Sequence, residues 1–368
     1  MKIGLVCPYN IFKSGGVQEC VLAIFHELNN RGYDAYIISP APKIIPESYD
    51  QKILLIGRST DLKSPFHTTS QISVSVNTES LTRELHKHNF DIIHFHEPWV
   101  PILSRQILSR SKAKNIATFH AKLPDTVMSK TIEAIITPYT KSVLKYLDTL
   151  TAVSDAGAVY IRSLTEKNVR IIPNGIDLNL YKSSVKSSSG PNILYIGRLE
   201  KRKGIKYLLQ AYSLVLNQNP ETKLLIAGDG PDREKLESLA KKLELDKVKF
   251  LGYVADDKKM ELLANATVFC SPALFGESFG IVLLEAMACG IPIVAGDNPG
   301  YSSVMKGKGS LSLVNPKDSE EFARKLNIML YDEDIRTLWK AWALEYVKQF
   351  SYKNIIDQYE DLYKQTVK

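Results

Sequence analysis

Phe275-Gly-Glu277-Ser-Phe-Gly280-Ile-Val-Leu-Leu-Glu285-Ala-Met-Ala-Cys-Gly290-Ile-Pro292 spells a loop and a helix with two carboxylates in them. The apolar run Val268-Phe-Cys270 before it reads as a short buried strand ending at Ser271-Pro272. A Gly-flanked loop then carries Glu277, and Phe279 to Cys289 has helix-forming composition. Gly290 suits the helix C-terminus, and Pro292 forbids its continuation. In a strand–loop–helix unit, free backbone N–H groups and the positive dipole end face an anion. Phe279, Gly280 and Ile281 occupy that end and can cradle a phosphate. Glu285 lies a turn or more further in, on an otherwise apolar helix. A carboxylate there needs a partner, and a sugar diol would serve.

Either glutamate alone could simply complement the helix dipole or sit in a salt bridge. Two of them, eight positions apart around a Ser-Phe-Gly turn, form a pattern. That pattern resembles the E-x7-E signature of glycosyltransferase family 4, whose members are retaining enzymes of the two-domain GT-B fold.

A chain of 368 residues is too long for one compact core and suits two domains. Its 44% hydrophobic and 24% charged residues are those of a globular protein. The chain opens directly on the strand pattern Lys2-Ile-Gly-Leu-Val-Cys7, which predicts no signal peptide. The apolar stretch from Gly280 to Gly296 is broken by Glu285, Gly290 and Pro292, which predicts no membrane-spanning helix. The cysteines Cys7, Cys20, Cys270 and Cys289 have neither paired nor metal-like spacing, which suggests a reducing cytoplasm. The net charge of +7 is concentrated in residues 1–190, which points to an anionic partner there, a solvated surface being the alternative. Basic residues interleaved with aromatics are absent, which argues against nucleic acid.

Strand-like runs at Ala35–Ser39, Ile53–Ile56, Asp91–Phe95, Asn115–Phe119 and Thr149–Val153 alternate with helical segments and predict a parallel, doubly wound sheet. The paired glycines of Gly15-Gly16-Val17-Gln18 precede a helix and let backbone approach a ligand. His94 and His96 share one strand face and His120 ends another strand. With no further ligand cluster, they read as hydrogen-bonded residues rather than zinc ligands. Periodicity is lost over 182–190, which marks a linker between domains 1–181 and 191–346. The second half restarts with Asn192–Ile196, then Gly197-Arg198-Leu-Glu-Lys-Arg202-Lys203-Gly204 and a helix. Basic residues after a strand at this edge can neutralise phosphates, or form a charged solvated turn. Gly228-Asp-Gly230-Pro231 lacks the third glycine of a dinucleotide fingerprint, which excludes a nicotinamide site. Asp332-Glu-Asp334 sits in a polar helical region and reads as surface charge, so no visible motif requires a divalent metal. The segment Ser351–Lys368 is amphipathic, and the resembled fold has its last helix, here about 347–368, cross back onto the first domain.

The resemblance covers nearly the whole chain and is closest to the phosphatidylinositol mannosyltransferase type. Its matching segments are Cys7-Pro-Tyr9, Gly15–Gln18, His94-Phe-His-Glu-Pro98, Ala117-Thr-Phe-His120, Ile172-Pro-Asn-Gly175, Gly197-Arg198, Arg202-Lys203-Gly204 and Glu277 onward. The resemblance implies two Rossmann-like α/β domains facing a central cleft. It implies that Arg198 and Lys203, with Arg202, hold a donor pyrophosphate, and that Glu277 contacts the transferred sugar. Ser278, Phe279, Gly280 and Ile281 would complete the phosphate cradle and Glu285 would bind the ribose. Val254, Ala255, Asp256 and Lys259 would surround the nucleobase, Gly16 would approach the donor, and His120 would lie near the sugar. Tyr9 and Gln18 would face the acceptor. Where the inositol-phosphate-contacting stretch of that type should stand, the chain reads Leu55-Ile-Gly57-Arg58-Ser59-Thr60-Asp61, so the acceptor carries over less than the donor.

The sequence therefore predicts a retaining hexosyltransferase, using a nucleotide sugar such as GDP-mannose and a lipid-linked, phosphatidylinositol-like or other hydroxyl acceptor. It predicts a cytoplasmic location, peripheral to the inner face of the membrane. A nucleotide-sugar epimerase or hydrolase of the same fold, and a catalytically silent sugar-nucleotide-binding subunit, are the alternatives. A helix over Thr78–His88 carries Arg83 and Lys87 four apart and Leu81 and Leu85 as an apolar stripe, the pattern of a segment resting on an anionic bilayer.

Overall fold

The computed structural model describes residues 1–13, 15–63, 69–75, 77–121, 127–181 and 190–368. They fall into two compact units, Met1–Gly175 with Tyr352–Lys368, and Ile176–Ser351.

The first unit runs β1 (Lys2–Val6), α1 (Gly16–Asn30), β2 (Asp34–Ala41), β3 (Ile53–Lys63), β4 (Thr69–Ser75), α2 (Thr78–His88), β5 (Ile92–His96), α3 (Leu103–Leu108), β6 (Lys114–Phe119), α4 (Val127–Leu144), β7 (Thr149–Ala152), α5 (Asp155–Arg162) and β8 (Val169–Ile171). The sheet order is β4-β3-β2-β1-β5-β6-β7-β8. β5 is buried along its whole length, as a central parallel strand covered on both faces must be. Winding reverses between β1 and β5, the position at which open α/β sheets bind ligands. One edge departs from the expected parallel alternation: β3 continues to Lys63 and pairs antiparallel with β4. A second correction concerns α2. Leu81 and Leu85 are buried in the core with Phe90, Ile93 and Phe95, so the stripe read as membrane-facing is the helix's inner face.

The second unit runs β9 (Asn192–Ile196), α6 (Ile205–Gln218), β10 (Lys223–Ala227), α7 (Arg233–Lys242), β11 (Val248–Gly252), α8 (Asp256–Ala264), β12 (Val268–Ser271), α9 (Ile281–Ala288), β13 (Ile293–Gly296), α10 (Pro299–Val304), β14 (Leu313–Val314), α11 (Ser319–Tyr331) and α12 (Glu333–Tyr346). Its strands, in order β11-β10-β9-β12-β13-β14, pair in parallel. The switch point lies between β9 and β12, so the loops Gly197–Gly204 and Pro272–Gly280 emerge side by side. α9 begins two residues later than its composition predicted, because Gly280 is the left-handed residue ahead of it. Asp332 caps α12 by accepting the Ile335 N–H, which accounts for the acidic triplet as a helix start.

The final helix α13 (Tyr352–Val367) belongs to the first unit and buries Ile355, Ile356, Tyr359, Leu362 and Tyr363 among residues of β1, α1 and β2. Residues 176–181 and 347–351 belong to the second unit, where Ile176 N–H donates to Phe350 O over 2.8 Å. Of the segment read as the linker, 182–189 lie outside the described residues.

Candidate functional site

At the switch point of the second unit, two loops are tied together before any ligand is considered. Leu274 N–H donates to Arg202 O (2.8 Å), and the buried Tyr195 hydroxyl of β9 donates to Arg198 O (2.8 Å). Gly204 takes φ +73°, and a Cβ there would lie 2.0 Å from Pro272 O, so the close approach of the loops requires glycine.

The charged side chains on these loops form one chain of contacts. Arg198 Nε lies 2.5 Å from Glu200 Oε1, and Arg202 Nε donates to Glu200 Oε2 over 2.9 Å. Arg202 Nη1 donates to Glu277 Oε1 over 2.8 Å and to Gly276 O over 3.2 Å. Lys203 Nζ reaches the same Glu277 oxygen at 2.8 Å. Burial opposes the Arg202 charge, but Glu277 and Glu200 outweigh it and raise the guanidinium above its ordinary range. Three cations thus share two carboxylates, leaving one positive charge in excess at a helix N-terminus. Glu200 was not singled out in the sequence; it is the group that holds Arg198 and Arg202 on one loop.

Beyond them, Gly280 (φ +111°) precedes α9, and a Cβ on it would come within 2.7 Å of the Tyr301 ring. The Tyr301 hydroxyl is itself fixed at 2.7 Å from Ser271 Oγ. Phe279 is buried, its ring 6.0 Å from that of Phe350, so its contribution at this edge is its backbone N–H. The α9 N-terminus leaves its first amide donors without intrahelical acceptors.

Glu285 already has protein partners, where its sequence position had suggested a sugar diol. Its Oε1 accepts from Lys259 Nζ (2.7 Å) and from the Tyr181 hydroxyl (3.0 Å). Lys259 therefore reaches α9 from α8, whose first residue is Asp256 and whose N-terminal cap is Ala255. Tyr181 carried no signal in the sequence, being an isolated aromatic beside a segment of no periodicity.

At the switch point of the first unit the histidines separate. His94 spends both ring nitrogens on protein, Nδ1 on the Tyr363 hydroxyl (2.8 Å) and Nε2 on Thr118 Oγ1 (2.7 Å). His96 Nδ1 instead meets His120 Nε2 at 2.8 Å. All three are buried, and burial lowers His94 to about 3 and His120 to about 4. A potential metal-ligating trio exists, but with Cys20 in place of His94. Burial, with Cys7 nearby, pushes the Cys20 thiol up to about 12. Tyr9 is partly buried, its phenol pushed up by desolvation and by Glu97. Gln18 folds back on its own loop, where a Cβ on Gly15 would lie 2.5 Å from its Oε1; Gly16 starts α1.

A family model described as "Glycosyltransferase Family 4" matches residues 14–180, and one described as "Glycosyl transferases group 1" matches residues 179–345. The phosphatidyl-myo-inositol mannosyltransferase of Mycobacterium leprae is 30% identical over 371 residues, covering 99% of this chain and 96% of its own. Among solved structures, sucrose-phosphate synthase from Thermosynechococcus elongatus superposes with a TM-score of 0.78 at 21% identity, covering 99% of this chain and 98% of its own. Anabaena Alr3699/HepE in complex with UDP-glucose gives 0.76 at 19% identity, covering 99% of this chain and all of its own.

Proposed function

From the premise that this chain belongs to glycosyltransferase family 4, with two Rossmann-like domains of the GT-B class, we propose that it is a retaining hexosyltransferase. In this reading it moves mannose from GDP-mannose to a lipid-linked, phosphatidylinositol-like hydroxyl at the cytoplasmic membrane surface. The observation that carries it is the network joining Arg198, Glu200, Arg202, Glu277 and Lys203 at the second unit's switch point.

Those contacts support a division of labour. Arg202, bonded to both carboxylates, keeps Glu277 oriented toward the sugar. Arg198, with its side chain 42% exposed, and Lys203 are the cations that turn to the diphosphate as the glycosidic bond breaks. A unit charge pair at about 4 Å and an effective dielectric near 20 gains roughly 4 kcal/mol. Expressed only in the transition state, that is about a thousandfold in rate. The N–H groups of Phe279, Gly280 and Ile281 would complete the cradle beside Ser278. Glu285, held by Lys259 and Tyr181, would receive the ribose, and the turn Val254-Ala255-Asp256 the base.

Thermal stabilisation by GDP-mannose, UDP-glucose and the free nucleotides, followed by transfer assays with the stabilising donor, tests the reading. A ligand that binds the native state must raise the apparent stability. GDP-mannose should stabilise more than UDP-glucose, and release of free sugar without acceptor should be slow. Rapid conversion of the donor alone would replace transfer by an epimerase or hydrolase activity.

A further inference from the structure

We propose that Glu97 is a positioning residue of the first unit, holding the turn that presents His120. β5 ends at His96, and Glu97 continues its ladder by donating its N–H to Thr118 O (2.9 Å). Its backbone then enters the left-handed region at φ +50°, uncommon for a residue with a side chain. That conformation sends the carboxyl sideways to the end of the neighbouring strand β6. There Oε1 accepts the N–H groups of both His120 and Ala121, each at 2.5 Å.

These are the first two amides after β6, at an edge where His120 is buried and its ring Nε2 meets His96 Nδ1. A buried amide without an acceptor is rarely tolerated, so Glu97 sets the direction in which the chain leaves β6. Strained backbone persists where its surroundings over-determine it, and here the strain delivers one carboxyl oxygen to two donors.

The second oxygen tells against a simple cap. Glu97 is 1% exposed, and Oε2 is buried with no protein hydrogen-bond partner. Tyr9 from the β1–α1 loop faces the carboxyl and His120 bonds to it through its N–H, and neither side chain is a cation at neutral pH. Burial raises the carboxyl to about 8, and the two amides offset this only in part. A neutral carboxyl accepts through Oε1 and keeps a hydrogen on Oε2, so glutamine is its near-isostere here.

The inference rests on the transferase reading only through His120, and two kinds of measurement separate them. Hydrogen exchange on the full chain reads the positioning alone. Glu97→Ala should speed exchange at His120 and Ala121 by about tenfold or more, while Glu97→Gln keeps them protected. With a nucleotide-sugar donor, Glu97→Ala should lower kcat at least about tenfold with donor KM unchanged, as misplacement of a site group does. Glu97→Gln should stay within about threefold of the parent in kcat. Unchanged exchange in Glu97→Ala would overturn the inference, as would a Glu97→Gln enzyme that exchanges freely or loses kcat as Glu97→Ala does. Should Glu97→Ala fail to fold, the exchange and the kcat of Glu97→Gln decide alone. The expected exchange pattern, with no transfer by the parent enzyme, would remove the transferase reading and leave the placement of Glu97 standing.

Discussion

Lys203 Nζ and Glu277 Oε1 lie 2.8 Å apart, and that oxygen is also the one Arg202 holds. Two cations on one carboxylate oxygen make an exchangeable arrangement. In the proposed reading an incoming diphosphate would take Lys203 while Arg202 keeps the partly buried Glu277 paired, so the carboxylate would not be left without a cation.

Different costs therefore follow from removing each cation. Lys203→Ala and Arg198→Ala should each lower turnover by about two orders of magnitude or more, with little change in melting temperature. Arg202→Ala should also destabilise the second unit, because Glu200 and Glu277 both lose a bonded partner. Steady-state rates and thermal unfolding of the three variants check this; near-parent rates in both Lys203→Ala and Arg198→Ala would remove the diphosphate assignment.

The two glutamates should part company in calorimetry. Glu285→Ala should weaken donor and free nucleotide alike, since both carry the ribose, and Tyr181→Phe should do so more mildly by loosening the same carboxylate. Glu277→Ala should weaken the sugar nucleotide or its turnover and spare the free nucleotide. The reverse pattern would exchange or abolish the two roles.

What could be read from the chain divides along physical lines. Glycine and proline punctuate local geometry, so β9 and β10 stand at the residues their apolar runs marked, and α9 ends at Ala288, with the left-handed Gly290 just beyond its cap. The two-domain class followed from such local signals. β4 escaped because Thr69-Ser-Gln-Ile-Ser-Val-Ser75 has only Ile72 and Val74 as apolar marks. Side-chain partnership is not local. Glu277 meets Arg202 across 75 positions and Glu285 meets Tyr181 across 104, and no spacing rule reaches that far. Strand parity grouped His94 with His96 correctly as to face, yet could not show α13 bringing Tyr363 to His94.

Opposed titrations in the first unit predict a stability maximum. His94 and His120 have folded pKa values of about 3 and about 4 against an ordinary 6.5. Between those limits the unfolded chain binds more protons, so stability rises with pH and is lost on acidification below 6.5. Glu97 runs the other way, its folded value of about 8 lying above an ordinary 4.5. The unfolded chain releases that proton first, so its contribution falls as pH rises from 4.5 to 8. The histidines outnumber the acid up to pH 6.5, and above it Glu97 acts alone. Melting temperature should therefore peak near pH 6.5, and Glu97→Gln should flatten the decline from there to pH 8. A parallel decline in that variant would show that another group is responsible.

The last prediction concerns the membrane. With Leu81 and Leu85 committed to the core, α2 offers a bilayer only its polar face, on which Arg83, His86 and Lys87 are exposed. A cavity of about 220 Å³ lined by His86, Asn89, Arg110 and Lys112 continues that basic surface past the helix end. Arg105, by contrast, stacks on Tyr146, 4.8 Å from the ring centre. Among the described residues no helix is long and apolar enough to cross a membrane. Attraction through this face would be electrostatic, up to about 1 kcal/mol for each basic residue near an anionic surface. Sedimentation with vesicles should show binding that needs anionic lipid and fades as salt shortens the screening length toward a few ångströms. Replacing Arg83 and Lys87 together by serine should weaken it without lowering the melting temperature, since neither side chain enters the core. Equal binding to neutral vesicles would implicate apolar insertion elsewhere. No binding to anionic ones would leave a soluble hydroxyl compound as the acceptor.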